Sequence, residues 1–471
     1  MTDQRTGGKA KGQTRIWAEQ ALLADGWARD VAFEIGADGR ILALMRDAVP
    51  APDACRHALI IPAPANSHSH AFQRAMAGLT ERRGSDGQDS FWTWRRLMYR
   101  FLDQLTPAQV QAIAAFVQME MLEAGYAANV EFHYVHHGRD GRPYDDLAEM
   151  SGRITAAAAQ SGIGLTLLPV HYQYGGCDLR PLAGGQVRFG NDPDRFARLL
   201  DAARRHLAAL PGDARLGVAP HSLRAVAPGD LAAIAALLPD GPVHMHLAEQ
   251  QAEVDEVLAA RGARPVEWAL ANLDLSPRWC MIHCTQMLPH ETEALARSGA
   301  AAGLCPLTEA SLGDGIFDGL RWVGAGGALS VGSDSNIRIS LAEELRQLDT
   351  SQRLRDHSRA AFATADLSTG RRLLDAVAAG GAQAAGRGKG GLAVGEYADL
   401  LALDMNHVDL AGLAGDAVID TFVFAGGSDM VSDVWSAGRH MVQSGRHVSR
   451  DAIIGAYRGA VRALRTEGGA G

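Results

Sequence analysis

The sequence predicts an α/β fold: a (β/α)8 TIM-like barrel with a small β-sandwich domain built from both termini. Three observations predict it. From residue 60 onward, strand-like apolar runs alternate with Ala/Leu-rich helical stretches. Such alternation means a parallel sheet, and eight units mean a closed barrel. Short strands with turn signals occupy residues 14–61, and similar patterning returns after residue 380. Finally, 471 residues exceed one small core and suit a large barrel plus a satellite domain. The expected division is residues 1–61 and 380–471 for the two parts of the β-sandwich, and 62–379 for the catalytic barrel.

In chain order, residues 31–35 and 40–44 alternate or run apolar and flank Gly36-Ala37-Asp38-Gly39, a hairpin turn. The eight barrel strands are the run ahead of His68, then 128–132, 164–170, 216–219, 242–246, 280–283, 301–305 and 329–332. Helical spacing is clearest near 107–124, 144–161, 193–209, 228–238, 250–260 and 288–298. After about Gly380 the helical pattern fades. Residues 391–404 read as a turn followed by a strand, and 434–442 as a hairpin that pairs with the N-terminal strands. The polar loop 79–89 precedes the aromatic run Phe91-Trp92-Thr93-Trp94-Arg95-Arg96 and is a candidate lid.

Bulk properties exclude several classes of function. The net charge is −9 with no basic stripe, which argues against nucleic-acid binding. Residues 1–14 are polar and lack the apolar segment of a signal peptide, and no apolar stretch reaches membrane-spanning length. Five scattered cysteines make a disulfide framework improbable and fit a reducing cytoplasm. Cys280 and Cys284 read as packing groups beside a buried strand.

The chemistry lies at the C-terminal ends of the strands, which converge on one barrel face. His68 and His70 are two apart on a strand, so both point to one side. His246 opens His246-Leu247-Ala248-Glu249, and Asp334 ends a buried run. Three imidazoles and a carboxylate suit a divalent transition metal with an open position for water, and zinc is the default ion. Lysine occurs only at 9, 11 and 389, so no barrel strand supplies a lysine to bridge two metals, and a single ion is expected. His244, one layer deeper than His246, reads as a core histidine. Glu249 sits at the same rim as His246 and reads as the proton carrier. Asp334 can both bind the ion and accept a proton.

His68-x-His70, His246-x-x-Glu249, His283 and Asp334 together resemble the amidohydrolase superfamily, in its mononuclear aminohydrolase branch. The resemblance spans nearly the whole chain and includes the turn Gly395-Glu396-Tyr397-Ala398-Asp399. It is closest in the segments 66–78, 91–101 and 131–134. Pro62-Ala63-Pro64 departs from the usual Pro-Gly, which implies a local backbone change and no loss of chemistry. The resemblance implies hydrolysis of N-formimino-L-glutamate to N-formyl-L-glutamate and ammonia, in histidine degradation. It further implies catalytic roles for Glu249, His283 and Asp334, with metal ligation by His68, His70, His246 and Asp334. Arg95 and Arg224 would grip the substrate's two carboxylates, with Gln73, Tyr134 and His221 as hydrogen-bonding partners. His133, His136 and His137 read as supporting groups, and a homodimer is suggested. The rival is another deaminase of the superfamily, acting on a purine, pyrimidine or adenosyl compound. It would share every metal ligand, so only the anchors discriminate. A non-catalytic scaffold is the second rival, disfavoured by the complete ligand set.

Overall fold

The structure, a computed structural model, describes residues 14–81 and 91–467, and of 91–96 and 467 the backbone alone. The expectations for residues 1–13 and for most of the candidate lid lie outside the described residues.

Eight strands from both ends of the chain form one sheet. Its order is Arg446–His447, Arg439–Gln443, Val431–Ser436, Leu400–Leu403, Cys55–Pro62, Thr14–Leu23, Gly26–Ile35 and Ile41–Met45. Period-2 alternation drives it: Ile16 and Ala18 are buried while Arg15 and Glu19 face outward. The expected pairing of tail with head is seen directly, Leu400 against Pro62 and Ala402 against Ile60. The far edge curls back, since Ile41 N–H donates to Glu396 O at 2.9 Å and Ala398 N–H to Gly39 O at 2.8 Å. The two halves thereby share a core of Ile16, Phe33, Leu400 and Trp435.

The barrel strands are Ala65–Ser69, Ala128–His133, Gly164–His171, a fourth split into Arg215–Leu216 and Ala219–Pro220, then Val243–Leu247, Trp279–His283, Ala301–Leu304 and Leu329–Val331. The fourth is split because it changes partner. Its two pieces pair with the third strand, while Val218 between them bridges Val243 on the fifth. Gly217 permits the switch: a Cβ there would lie 2.6 Å from Pro242 O. The barrel closes between its eighth and first strands through a parallel Ser69–Asp334 bridge.

Helices start where capping chemistry allows. Thr106 and Gln109 form a reciprocal capping box with Pro107 at the first helical position of Pro107–Glu123. The helix expected from 144 begins at Glu149, because Asp146 accepts the Ala148 N–H at 2.9 Å and holds a turn ahead of it. The last barrel helix, Thr369–Ala385, runs past the expected boundary at 379/380. The pattern fades there because of Gly380 and Gly381, of which Gly380 is demanded by packing and Gly381 is tightly fitted. A Cβ at Gly380 would lie 2.0 Å from Leu329 O and one at Gly381 3.1 Å from Ala65 O, so the helix rests directly on the eighth and first strands. The tail also holds helices Asp416–Phe424 and Arg450–Glu467, which the sequence reading missed. The second packs on Pro107–Glu123, with Tyr457 stacked on Phe116 at 3.9 Å. Among the described residues no helix is long and apolar enough to cross a membrane.

Candidate active site

The seams of the barrel assemble the predicted ligands. Asp334 N–H donates to His68 O and His70 N–H to Asp334 O, both at 2.9 Å, so the closing seam sets the carboxylate beside two imidazoles. A Cβ on Gly332 would meet His68 N at 2.5 Å, so this seam requires glycine. On the opposite seam, His246 N–H donates to His221 O at 3.0 Å. The backbone turns sharply at the ends of the fifth, sixth and eighth strands. Ala248, His283, Cys284, Asp334 and Asn336 all have left-handed φ, from 44° to 70°. Non-glycine residues in that region carry strain, and such strain clusters at functional sites.

His68, His70, His246 and Asp334 are buried, and their ligand atoms all lie within 4.8 Å of one another. His70 Nδ1 lies 2.9 Å from Phe132 O and His246 Nδ1 3.2 Å from His221 O. A carbonyl only accepts, so each ring carries its proton on Nδ1 and turns an Nε2 lone pair inward. His68 Nε2 lies 3.2 Å from His246 Nε2, and Asp334 Oδ1 lies 3.4 and 3.2 Å from the Nε2 atoms of His68 and His70. Burial pushes His68 down to about 3 and His246 well below its ordinary value. Burial opposes the Asp334 carboxylate, but the His68 hydrogen bond and the nearby imidazoles hold it below the usual range. Inward lone pairs and a carboxylate at such separations repel one another without a cation between them, and the donor set fits a divalent transition ion.

Beside this set lies a chain of charge. His283 Nε2 is 3.8 Å from Glu249 Oε1 and 4.0 Å from Asp334 Oδ2, while its Nδ1 is 3.2 Å from Glu309 Oε1. Burial works against the imidazolium, yet Glu249, Glu309 and Asp334 hold His283 up to about 10. Burial raises the Glu249 carboxyl, against the pull of His283 and Arg224. Arg224 stands 3.7 Å from Glu249 and 4.0 Å from Glu253, whose Oε2 accepts the Glu249 N–H at 3.0 Å. Glu253 and Glu309 escaped the sequence reading, because each looks like an ordinary acid in the first turn of a helix.

His70, Arg224, His246, Glu249, His283 and Asp334 line a cleft of about 570 Å³ together with Gln73, Met98, Tyr99, Tyr134, Tyr172, Phe189, His221 and Leu312. Gln73 Nε2 donates to Tyr134 Oη at 2.8 Å, and Gln73 Oε1 is buried with no hydrogen-bond partner among the described residues. The His221 ring stacks against His246 with centroids 4.9 Å apart. The structure thus gathers Gln73, Tyr134, His221 and Arg224 in one cleft. Arg95 belongs to the helix Phe91–Leu102, but its side chain lies outside the described residues.

Three further histidines face carbonyls. His136 Nε2 is 2.9 Å from Val170 O, His137 Nε2 is 2.9 Å from Gly190 O, and His244 Nε2 is 2.8 Å from Ala384 O. His133 is buried with its ring 5.3 Å from that of His136. Cys280 packs with Ile282, Ala301, Cys305 and Ala384.

Residues 59–441 match the Amidohydrolase family. The chain belongs to the amidohydrolase family. Like that family, it carries a candidate metal site, of three histidines and an aspartate. Residues 13–58 match a second model, described as "Formimidoylglutamate deiminase HutF, N-terminal domain". The amidohydrolase is 50% identical over 445 residues to the formimidoylglutamate deiminase of Pseudomonas aeruginosa, covering 94% of this chain and 97% of the relative. It is 26% identical to the 5-methylthioadenosine/S-adenosylhomocysteine deaminase of Natronomonas pharaonis, over 84% of this chain and 82% of that one. Among solved structures, the crystal structure of an amidohydrolase from Brucella melitensis superposes with a TM-score of 0.92 at 47% identity, covering 96% of this chain and 99% of that chain.

Proposed function

We propose that this amidohydrolase hydrolyses N-formimino-L-glutamate to N-formyl-L-glutamate and ammonia, with one divalent ion, zinc by donor preference, held by His68, His70, His246 and Asp334. The observation that carries the reading is the 50% identity to a formimidoylglutamate deiminase over 94% of the chain. A bound ion would act as a Lewis acid and make water a better nucleophile at neutral pH. The chain's own groups handle the protons. Asp334, with its low proton affinity, accepts a proton only to pass it on, and Glu249, with its affinity raised by burial, receives it. The water's oxygen joins the formimino carbon, and Glu249 hands the water's first proton to the imino nitrogen. The second proton, released as the new hydroxyl becomes the formyl carbonyl, reaches the same nitrogen by the same route, the carbon–nitrogen bond breaks, and the nitrogen leaves as ammonia. His283, whose proton Glu249, Glu309 and Asp334 favour against burial, steadies the negative charge that develops.

The two carboxylates of the substrate are assigned to Arg95 and Arg224. Arg224 suits the task because its Nε is buried with no hydrogen-bond partner among the described residues, while its acidic neighbours stand beyond hydrogen-bonding distance. Gln73, Tyr134 and His221 serve as hydrogen-bonding partners for the same ligand. A homodimer in the cytoplasm belongs to the same reading. Ammonia release from N-formimino-L-glutamate, measured beside guanine and adenosine at equal concentration, tests the proposal. Turnover is expected with the first alone, and turnover of a nucleobase or nucleoside in its place would overturn it.

A further inference from the structure

We propose that Glu309 is a positioning residue for this reaction, holding the His283 ring so that Nε2 faces Glu249 and Asp334. The inference rests on the proposed function, and it begins from the shape of the helix Pro306–Leu312 that follows the seventh strand. The Glu309 side chain folds back toward the start of its own helix, where Oε1 accepts the Cys305 N–H at 2.7 Å. The backbone is pinned on both sides: Glu309 N–H donates to Cys305 O, and Asp314 N–H to Glu309 O, each at 2.9 Å. Its neighbour Thr308 ties the helix to the loop bearing Asp334, through Ser335 Oγ at 3.0 Å and Ser333 O at 3.3 Å. Glu309 is therefore a rigid acceptor, and the same Oε1 meets His283 Nδ1 at 3.2 Å.

His283 needs such an acceptor. Its backbone sits at φ 70° and that of Cys284 at 53°, so the chain leaves the strand abruptly and the main chain alone does not dictate the ring's rotation. The ring is buried. With its Nδ1 side unpaired it could turn over and present either nitrogen to the cleft. A charge-assisted hydrogen bond to a fixed carboxylate removes that freedom and leaves Nε2 at 3.8 Å from Glu249 Oε1 and 4.0 Å from Asp334 Oδ2. His283, Cys305 and Glu309 also place their ligand atoms within 4.8 Å of one another, the arrangement of a small cation site. The hydrogen bond between His283 Nδ1 and Glu309, however, takes up the side of the ring that such a cation would need.

The test is a set of variants assayed for ammonia release with metal content measured alongside. Glu309→Ala should lower kcat about a hundredfold, the cost of a misplaced reacting group, with KM nearly unchanged and the bound metal retained. Glu309→Gln keeps an oxygen for both N–H groups and should stay within about tenfold of wild type, since only the charge assistance is lost. In a His283→Asn background, Glu309→Ala should cost nothing further. Unchanged kcat in Glu309→Ala, a loss confined to KM, or a full additional loss in the His283→Asn background would each overturn the inference. So would a second equivalent of zinc that depends on Cys305. If the wild type releases no ammonia, the functional reading falls, and the role of Glu309 is read on the slowly exchanging ring N–H resonance of His283. That signal should vanish in Glu309→Ala, and its persistence would refute the role.

Discussion

A neutral imidazole offers one lone pair, and the partner of its other nitrogen decides where that lone pair points. Phe132 O and His221 O, two backbone carbonyls, turn the Nε2 atoms of His70 and His246 to the centre. Glu309 settles the same question for His283 with a carboxylate, so this ring carries charge where the others are neutral. The contrast separates the groups that would hold an ion from those that move protons. Glu249 belongs to the second kind, because it lies outside the four-residue donor set. Glu249→Gln is therefore expected to lower kcat by about a thousandfold, the usual worth of a positioned acid–base group, with metal content unchanged. Metal analysis beside steady-state kinetics checks this, and a variant that lost both would show that Glu249 helps to hold the ion. His68, His70, His246, Glu249 and Asp334 were legible in the sequence because strand periodicity places them on one face and one rim. Glu253 and Glu309 were not, because each reads as an ordinary first-turn helix acid until the fold brings Arg224 and His283 beside it.

At the scale of elements, glycine decides where the barrel can close. Gly332 lets the eighth strand approach His68, and Gly380 lets the last helix lie on the carbonyl of Leu329. A Cβ at Gly380 would sit 2.0 Å from that oxygen, a backbone atom that cannot swing aside. Gly380→Ala is thus expected to destabilise the protein by about 3 kcal/mol, despite alanine's better helix propensity. Urea unfolding with an unchanged slope would report it as a lower midpoint. This reverses the usual reading of a glycine pair as the end of a helix, and it explains why the helical pattern faded five residues before Ala385. The helix Arg450–Glu467 failed to register for a different reason. Its buried positions Ile453, Val461 and Leu464 have helical spacing, but they lie in a tail whose preceding residues read as strands.

At the scale of the molecule, a buried ion cluster joins the terminal sheet to the barrel. Asp213, in the loop before the fourth barrel strand, pairs with Arg387 at 3.0 Å and with Arg439 on the terminal sheet at 2.8 Å. Arg387 reaches on to Asp399 at 3.1 Å. Removing one member leaves a buried guanidinium short of a counter-charge, so Asp213→Asn should cost about 3 kcal/mol. Burial opposes the Asp213 charge, but the hydrogen bonds and charges of Arg439 and Arg387 win, and its carboxyl is held below the ordinary range. A depressed folded-state pKa adds stability that is fully present above the unfolded value of about 4 and is lost as pH falls through the folded one. The wild type should therefore lose stability more steeply than Asp213→Asn below about pH 4. Parallel slopes of unfolding midpoint against pH in that window would show that the cluster does not titrate with folding.

The sequence by itself determined the residue types at the strand ends, the count of strand–helix units and the pairing of the two termini. Those follow from periodicity and local chemistry, which a linear chain displays openly. Only the tertiary structure decided which carbonyl or carboxylate backs each imidazole, which glycines bear the contact between helix and strand, and which acids surround Arg224. Each of those depends on groups far apart in the chain meeting at about 3 to 4 Å, a distance set by barrel closure.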